Sequence, residues 1–338
     1  MGKTKIAING FGRIGRAAFK VAYERDDIEI VALNDLTDND TLGHLLKYDS
    51  VYGRYQHPVT TNDSGITIGD KHLRIFSETD PSKLPWGKEG VEVVIESTGR
   101  FVKPEDAKAH ITAGAKKVII SAPAKGEGAS TIVLGVNDGD LDDAGEIISN
   151  ASCTTNCITP PALVVERAFG IEKAMMTTIH SYTADQNLMD GPHKDLRRAR
   201  AAALNIVPTT TGAAKAAGEV MPALKGIFDG VAMRVPTPVG SLSDFTFLLK
   251  KKVTVEQVNE AFREAAKQPF FKGILQATDD PIVSSDVIGN SHSSIVDLGL
   301  TQVVGGNMVK IIAWYDNEWG YSNRLVEMAA DIGKSLSK

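Results

Sequence analysis

The 338-residue chain is 42% hydrophobic and 23% charged, the balance of a globular protein long enough for two domains. Its 37 Lys and Arg against 42 Asp and Glu leave a net charge of −5, which gives no support to nucleic-acid or membrane-surface binding. Two cysteines four residues apart exclude a disulfide framework, and the lack of an apolar leader or of any window near about 18 apolar residues predicts a cytoplasmic protein.

Residues 5–9 form a short apolar run that leads directly into Gly10, Phe11, Gly12, Arg13, Ile14 and Gly15. An amphipathic helix follows, with Ile14, Ala18, Val21 and Ala22 on one face, then a strand over 28–33 and Asp35, 20 residues after the last glycine. This is G-x-G-x-x-G in the context that gives it meaning. Gly10 permits the tight turn, Gly12 lets backbone approach a pyrophosphate, and Gly15 allows close helix–strand packing. The Asp35 carboxylate suits ribose hydroxyls and repels a 2′-phosphate, which favours NAD over NADP.

The rest of this half keeps a doubly wound rhythm: a helix over 41–48, a hairpin over 66–75 turning at Gly69 and Asp70, and a strand over 91–95. Pro104 opens a helix to about Ala113, and strands are expected over 117–120, 131–134 and 146–148. Thr98, Gly99 and Ser121 stand at strand carboxyl ends, where open parallel sheets bind ligands; the alternative is ordinary turn chemistry.

Cys153 falls between a buried strand ending at Ile148 and a helix reaching Phe169, in or beside the first helical turn. Unpaired N–H groups and the helix dipole there predict a lowered thiol pKa, although free cysteines are more often inert core residues. Pro160 and Pro161 remove two backbone donors, so a bend is expected one to two turns along.

The pattern then changes. Extended runs over 174–183, 231–250 (interrupted at Pro236 and Pro238) and 308–315 have few crossover helices between them, which predicts a mostly antiparallel sheet. Residues 191–200 read as a long basic loop, either a solvated charged face or an anion clamp. Thr211 and Gly212 stand at the mouth of a helix, a second anion-friendly element. Arg234 lies in an otherwise apolar strand and needs a partner. Thr254 and Gln257 form a capping box ahead of a helix. His180 ends a strand between hydroxyl residues; beside a thiol it can serve as general base and acid and form an imidazolium–thiolate pair.

Taken together, residues 7–16, 152–157, 178–183, 193–200, 208–214, 233–238 and 314–322 resemble the signatures of the phosphorylating glyceraldehyde-3-phosphate dehydrogenase family, and the resemblance runs essentially end to end. It implies a Rossmann NAD-binding domain over 1–152 and 319–338, the latter a returning C-terminal helix, and an α+β catalytic domain over 153–318. It implies that Cys153 is the nucleophile and His180 its base. Ser152, Thr154, Thr211, Gly212 and Arg234 are implied around the inorganic phosphate, and Thr183, Arg198 and Arg234 at the substrate's own phosphate. Gly10 to Gly15, Asp35, Thr98, Ser121, Asn317 and Tyr321 are implied cofactor contacts. NAD is the cofactor, glyceraldehyde 3-phosphate and inorganic phosphate are the substrates, no metal is needed, and a homotetramer is the expected assembly. The alternative activity is that of erythrose-4-phosphate dehydrogenase, which releases its product by hydrolysis; a non-catalytic role for a retained Rossmann domain is the reading from another class. Gly191, where many NAD-specific members carry Leu, leaves room for some NADP use. Thr79 replaces a frequent Arg, and Pro161 has no functional explanation.

Overall fold

The computed structural model describes residues 2–336. Contacts divide the chain into one unit of residues 1–132, 138–151 and 322–338 and another of 133–137 and 152–321. Among the described residues, no helix is long and apolar enough to cross a membrane.

The first unit is built on a mixed sheet. Its strands are β1 (Thr4–Asn9), β2 (Ile28–Asn34), β3 (Val59–Asn62), β4 (Gly65–Ile68), β5 (Lys71–Phe76), β6 (Val93–Glu96), β7 (Lys117–Ile120), β8 (Ser130–Thr131) and β9 (Ile147–Ser149). Their order is β8-β9-β7-β6-β1-β2-β5-β4-β3, and only the β3–β4 and β4–β5 pairings are antiparallel among the described residues. Strands β1 and β6 are near-continuous apolar runs because parallel strands are covered on both faces. Ala7, Ala32, Trp86, Val94, Val118 and Ile120 share one core cluster. From β1 the chain proceeds outward through α1 (Arg13–Tyr23) to β2, and later returns to place β6 on the other side of β1. The order therefore reverses between β1 and β6, and ligands of open α/β sheets bind at such a switch point.

Several local expectations shift. Helix α2 (Asn39–Lys47) starts two residues early because Asp38 caps it, accepting from the Thr41 N–H. The stretch opened by Pro104 is two short turns, Pro104–Ala107 and Ala109–Thr112, rather than one helix. Of the expected 131–134 strand only Thr131 pairs, together with Ser130 just before it.

The second unit opens with α3 (Cys153–Phe169), which contains Pro160 and Pro161 without a break. Its sheet comprises β10 (Ile171–Ser181), β11 (Val207–Thr210), β12 (Phe228–Val235), β13 (Ser241–Leu249), β14 (Leu275–Thr278), β15 (Ser294–Val304) and β16 (Met308–Tyr315), in the order β11-β12-β10-β13-β16-β15-β14. Four of the neighbouring pairs are antiparallel, while β10–β12 and β14–β15 are parallel. Strand β13 buries Ser241, Ser243, Phe245, Phe247 and Leu249 in strict alternation, the period of a sheet with one covered face. That cover comes from α3 and α5 (Val255–Lys267), while α4 (Ala213–Val220) packs against α3 and β12. The Thr254 and Gln257 capping box is present in both halves. The chain ends in α6 (Trp319–Leu336), which buries Leu325, Val326, Ala329 and Ile332.

Candidate active site

The glycine loop joins β1 to α1. Gly10 has φ +90, a conformation costly for any residue with a Cβ, and a Cβ there would meet the Thr98 backbone at 2.7 Å. Gly12 caps α1 with an ordinary φ of −70 and has no atom within 4 Å of an added Cβ, so its bare face is open to an approaching ligand. Gly15 is buried against the Gly10 carbonyl. The Asp35 carboxylate accepts from the Phe11 N–H at 2.7 Å and from the Thr37 N–H at 2.9 Å, one bond per oxygen, so each retains a lone pair for a ribose hydroxyl.

The other expected contacts divide. Phe11 contributes only backbone here: its ring is buried edge-on against Phe19. Arg13 grips Asp49 through two N–H groups and lies over the Tyr52 ring. Ile14, Thr98 and Ser121 are half-buried, and Thr98 and Ser121 follow the carboxyl ends of β6 and β7. The loop thus offers open backbone, a helix N-terminus and an acid at the next strand, which suits a dinucleotide.

In the second unit Cys153 is the first residue of α3. Ser152 caps the helix, its Oγ accepting from the Thr155 N–H at 3.0 Å. The corner is tight enough to hold Ala151 at φ +51, an uncommon conformation outside glycine. Cys153 Sγ stands 3.4 Å from His180 Nε2. The backbone carbonyl of Ser181 lies 2.6 Å from His180 Nδ1 and can only accept, so Nδ1 carries the hydrogen and Nε2 presents a lone pair to the thiol. The Tyr315 ring packs edge-on against the imidazole, and its hydroxyl links Thr154 with Thr178.

Burial pushes the Cys153 thiol up, against the pull of the Arg234 charge and of hydrogen bonds from Thr154. Burial also pushes His180 down to about 4, helped by the nearby Arg234 charge. For the thiol taken alone, desolvation therefore works against the helix N-terminus. A proton moving from Sγ to Nε2 creates both charges together, however, and their attraction at 3.4 Å, about 5 kcal/mol at an effective dielectric of 20, offsets much of that penalty. The reactive unit is the pair. Cys157 is fully buried, its thiol pushed up to about 12 by desolvation, and it is a packing residue.

Two anion-suited groups lie in the same unit as the pair, the first of them beside His180. Strand β12 runs parallel to β10 with Arg234 opposite His180, and Arg234 donates to Thr183 Oγ1 at 2.7 Å and to the Ser181 carbonyl at 3.3 Å. Arg198, from the long loop, donates to Thr209, the Thr210 carbonyl and Asp185. Asp185, not singled out from the sequence, also accepts from Thr183 and lies 3.9 Å from Arg234. Burial raises its carboxyl, but the Thr183 bond and the two arginines more than reverse this. An acid two residues after Thr183, in a loop rich in arginine, was the available signal.

The second group is Thr211 and Gly212 at the start of α4, where Thr211 Oγ1 accepts from the Ala213 N–H at 3.2 Å. Ser152 Oγ is engaged in capping, and the Thr154 hydroxyl faces Tyr315 in the core, so these two residues can offer an anion mainly backbone N–H groups. Asn317 is buried, and its Oδ1 accepts from the Gly240 N–H and Ser241 Oγ, which fixes the orientation of its amide. Tyr321 is buried at the start of α6. No cluster suited to a metal ion occurs among the described residues.

Comparison with known proteins agrees in both halves. Residues 4–104 match the model of the glyceraldehyde 3-phosphate dehydrogenase NAD binding domain, and residues 152–317 match that of the C-terminal domain of the same enzymes. The chain is 58% identical to glyceraldehyde-3-phosphate dehydrogenase of Mycolicibacterium smegmatis, an alignment that covers 98% of this chain and 99% of the relative. It is 56% identical to the enzyme of that name from Borreliella burgdorferi, over 98% and 100% of the two chains. Glyceraldehyde-3-phosphate dehydrogenase 2 of Streptomyces arenae is 55% identical, with 98% and 99% covered. With an NAD loop at the switch point of one unit, a thiol–imidazole pair in the other, and both family models and near full-length relatives matching, the chain belongs to the glyceraldehyde-3-phosphate dehydrogenase family.

Proposed function

We propose that the chain oxidises glyceraldehyde 3-phosphate with NAD+ and inorganic phosphate, giving 1,3-bisphosphoglycerate and NADH, with Cys153 as nucleophile and His180 as base. The observation that carries the residue assignment is the 3.4 Å contact between Cys153 Sγ and a His180 Nε2 whose tautomer is fixed by the Ser181 carbonyl. Thr183, Arg198 and Arg234 hold the substrate phosphate in this reading, while Thr211, Gly212 and the start of α3 receive the inorganic one. Gly10 to Gly15, Asp35, Thr98, Ser121, Asn317 and Tyr321 hold NAD.

Sulfur adds to the aldehyde carbon as its proton passes to His180 Nε2, which then faces the new oxyanion as a donor together with the Cys153 N–H. Bound NAD+ supplies the hydride acceptor. As hydrogen leaves the carbon with its electron pair, the C–O double bond re-forms and Cys153 carries a thioester. A phosphate oxygen then adds to that carbon, the C–S bond breaks, and the sulfur recovers the proton kept on His180. The proton of the incoming hydrogen phosphate is the net proton released. Without the thioester, oxidation would end in a carboxylate, so covalent attachment is what conserves the acyl phosphate.

Exposed Leu188, Met189, Leu196, Leu204 and Ile206 on the long loop, and Met175, Val231, Leu300, Val304 and Met308 on the sheet, support a homotetramer. Two free cysteines support the cytoplasm as its location. Asp35 favours NAD, with Gly191 leaving room for some NADP use.

Initial rates with glyceraldehyde 3-phosphate, NAD+ and varied phosphate test the reading. NADH formation that needs phosphate or arsenate is expected, and Cys153→Ala should reduce it to a trace. Turnover indifferent to phosphate would favour hydrolytic release and refute the assignment. Light scattering of the eluted protein tests the tetramer, and a monomer would exclude it.

A further inference from the structure

Glu96 ends β6 and is 2% exposed, yet no Lys or Arg neutralises it among its hydrogen-bond partners in the described residues. Its nearest ionisable neighbour, His110, is 0% exposed and neutral by hydrogen-bond logic. Trp86 Nε1–H can only donate, and it points at His110 Nδ1 from 2.9 Å, so the imidazole hydrogen is on Nε2, directed at Glu96 Oε2 over 3.1 Å. The same oxygen accepts from Asn9 Nδ2. That amide's orientation is set from afar: the Glu78 N–H fixes Asn34 Oδ1 at 2.9 Å, so Asn34 Nδ2 must donate to Asn9 Oδ1, at 2.7 Å. The other oxygen, Oε1, accepts from the Thr98 N–H at 2.8 Å and from the Thr98 hydroxyl. Four hydrogens converge on one carboxylate, two on each oxygen, which is the full coordination of the ionised form.

The place of this carboxylate gives it a function. Asn9 ends β1 and Thr98 follows the end of β6, the two strands between which the sheet order reverses. Glu96 therefore ties together the ends of the two strands that border the switch point. If Asp35 at the end of β2 holds the adenosine ribose and the glycine loop the pyrophosphate, the strand order would leave the β6 side of β1 for the nicotinamide half. A fixed negative charge there attracts the cationic oxidised ring and is indifferent to the neutral reduced one.

We infer that Glu96 is a positioning residue of the NAD site, which holds Asn9 and Thr98 in place across the crevice and biases the site toward NAD+ over NADH. The inference rests on the NAD site already described. Glu96→Gln is isosteric, but either orientation of its amide turns the NH2 group toward two donors, and the charge is gone. Titration of the full chain with NAD+ and NADH, followed by calorimetry, reads both effects. For Glu96→Gln the Kd for NAD+ should rise at least about tenfold and that for NADH by clearly less, so that Kd(NADH)/Kd(NAD+) falls at least about threefold. Glu96→Asp keeps the charge but not the reach, so both forms should weaken by the same factor at an unchanged ratio. NAD+ affinity within twofold of the parent in Glu96→Gln, or equal weakening of both forms in that variant, overturns the inference. If Glu96→Gln does not fold, unchanged affinity or a shifted ratio in Glu96→Asp overturns it instead. Failure of the parent chain to bind NAD+ in the same titration refutes the site itself rather than the role of Glu96.

Discussion

The glycine loop allows folding and binding to be separated by two single methyl groups. An alanine Cβ at position 15 would sit 2.0 Å from the Gly10 carbonyl oxygen and 3.0 Å from Ser97 Oγ, where nonbonded contacts need about 3.5 Å. The oxygen belongs to backbone between β1 and α1, so relief requires the helix to move off the sheet. Overpacking of this kind costs about 1–3 kcal/mol, a fall in Tm of roughly 3–10 °C for a unit of this size. At position 12 the same methyl meets nothing within 4 Å and the backbone has φ −70, so Gly12→Ala should cost no more than about 1 kcal/mol, the gap between Gly and Ala at a helix N-cap. It nevertheless fills the space a pyrophosphate would use, and NAD+ affinity should fall at least about tenfold. Scanning calorimetry without cofactor and NAD+ titration of both variants form the assay. A Gly12→Ala chain that binds NAD+ like its parent, or a Gly15→Ala chain that melts with its parent, would refute the division of labour.

Three further outcomes are expected. His180→Asn should move the pH midpoint of Cys153 alkylation upward, because the buried thiol then loses its paired cation; an unchanged profile would exclude the proton-sharing pair. His180 also makes stability pH-dependent: with its folded value lowered to about 4 from 6.5, the unfolded chain binds the extra proton first, so stability is complete above about 6.5 and is lost as pH falls toward 4. The loss is about 3 kcal/mol and should be absent from His180→Asn in denaturant titrations across that window; equal slopes in parent and variant would contradict the burial argument. Arg198→Leu should raise KM for glyceraldehyde 3-phosphate while leaving the rate with unphosphorylated glyceraldehyde nearly unchanged, and equal losses on both would show that Arg198 does not hold the phosphate.

Features encoded within a few residues were legible in the sequence. The β1 run, the glycine spacing, Asp35 and the Thr254 capping box each state their structure locally, and the Cys153 corner follows from a strand run abutting a Ser-capped helix. Strand β15 was not legible, since Gly299 interrupts it and its register against β16 shifts between Asp297 and Gln302, which breaks the alternation a strand is read by. The helix expected after Pro104 has periodicity enough, but it divides at Lys108 where His110 turns in toward Glu96 and Trp86. Asp185 and Glu96 share a different difficulty. Their decisive partners, Arg198 and Arg234 for Asp185 and Asn9 and His110 for Glu96, lie far off in sequence, and only the folded chain brings them into contact.

The parallel pairing of β10 with β12 sets His180 and Arg234 opposite each other on one rung of the ladder, at a strand spacing fixed near 4.8 Å by backbone hydrogen bonds. The enzyme therefore carries a ruler. In the proposed reading, one end marks where a carbonyl would meet sulfur and base, and the other where a phosphate would be gripped. Exchanging either side chain alters strength at that mark but not the distance between marks, because moving a strand by one residue would turn every side chain on it to the opposite face. On that reading the sheet would hold the preference for carbon-chain length, and a change of preference would fall to Arg198, which stands on a loop and not on the ladder.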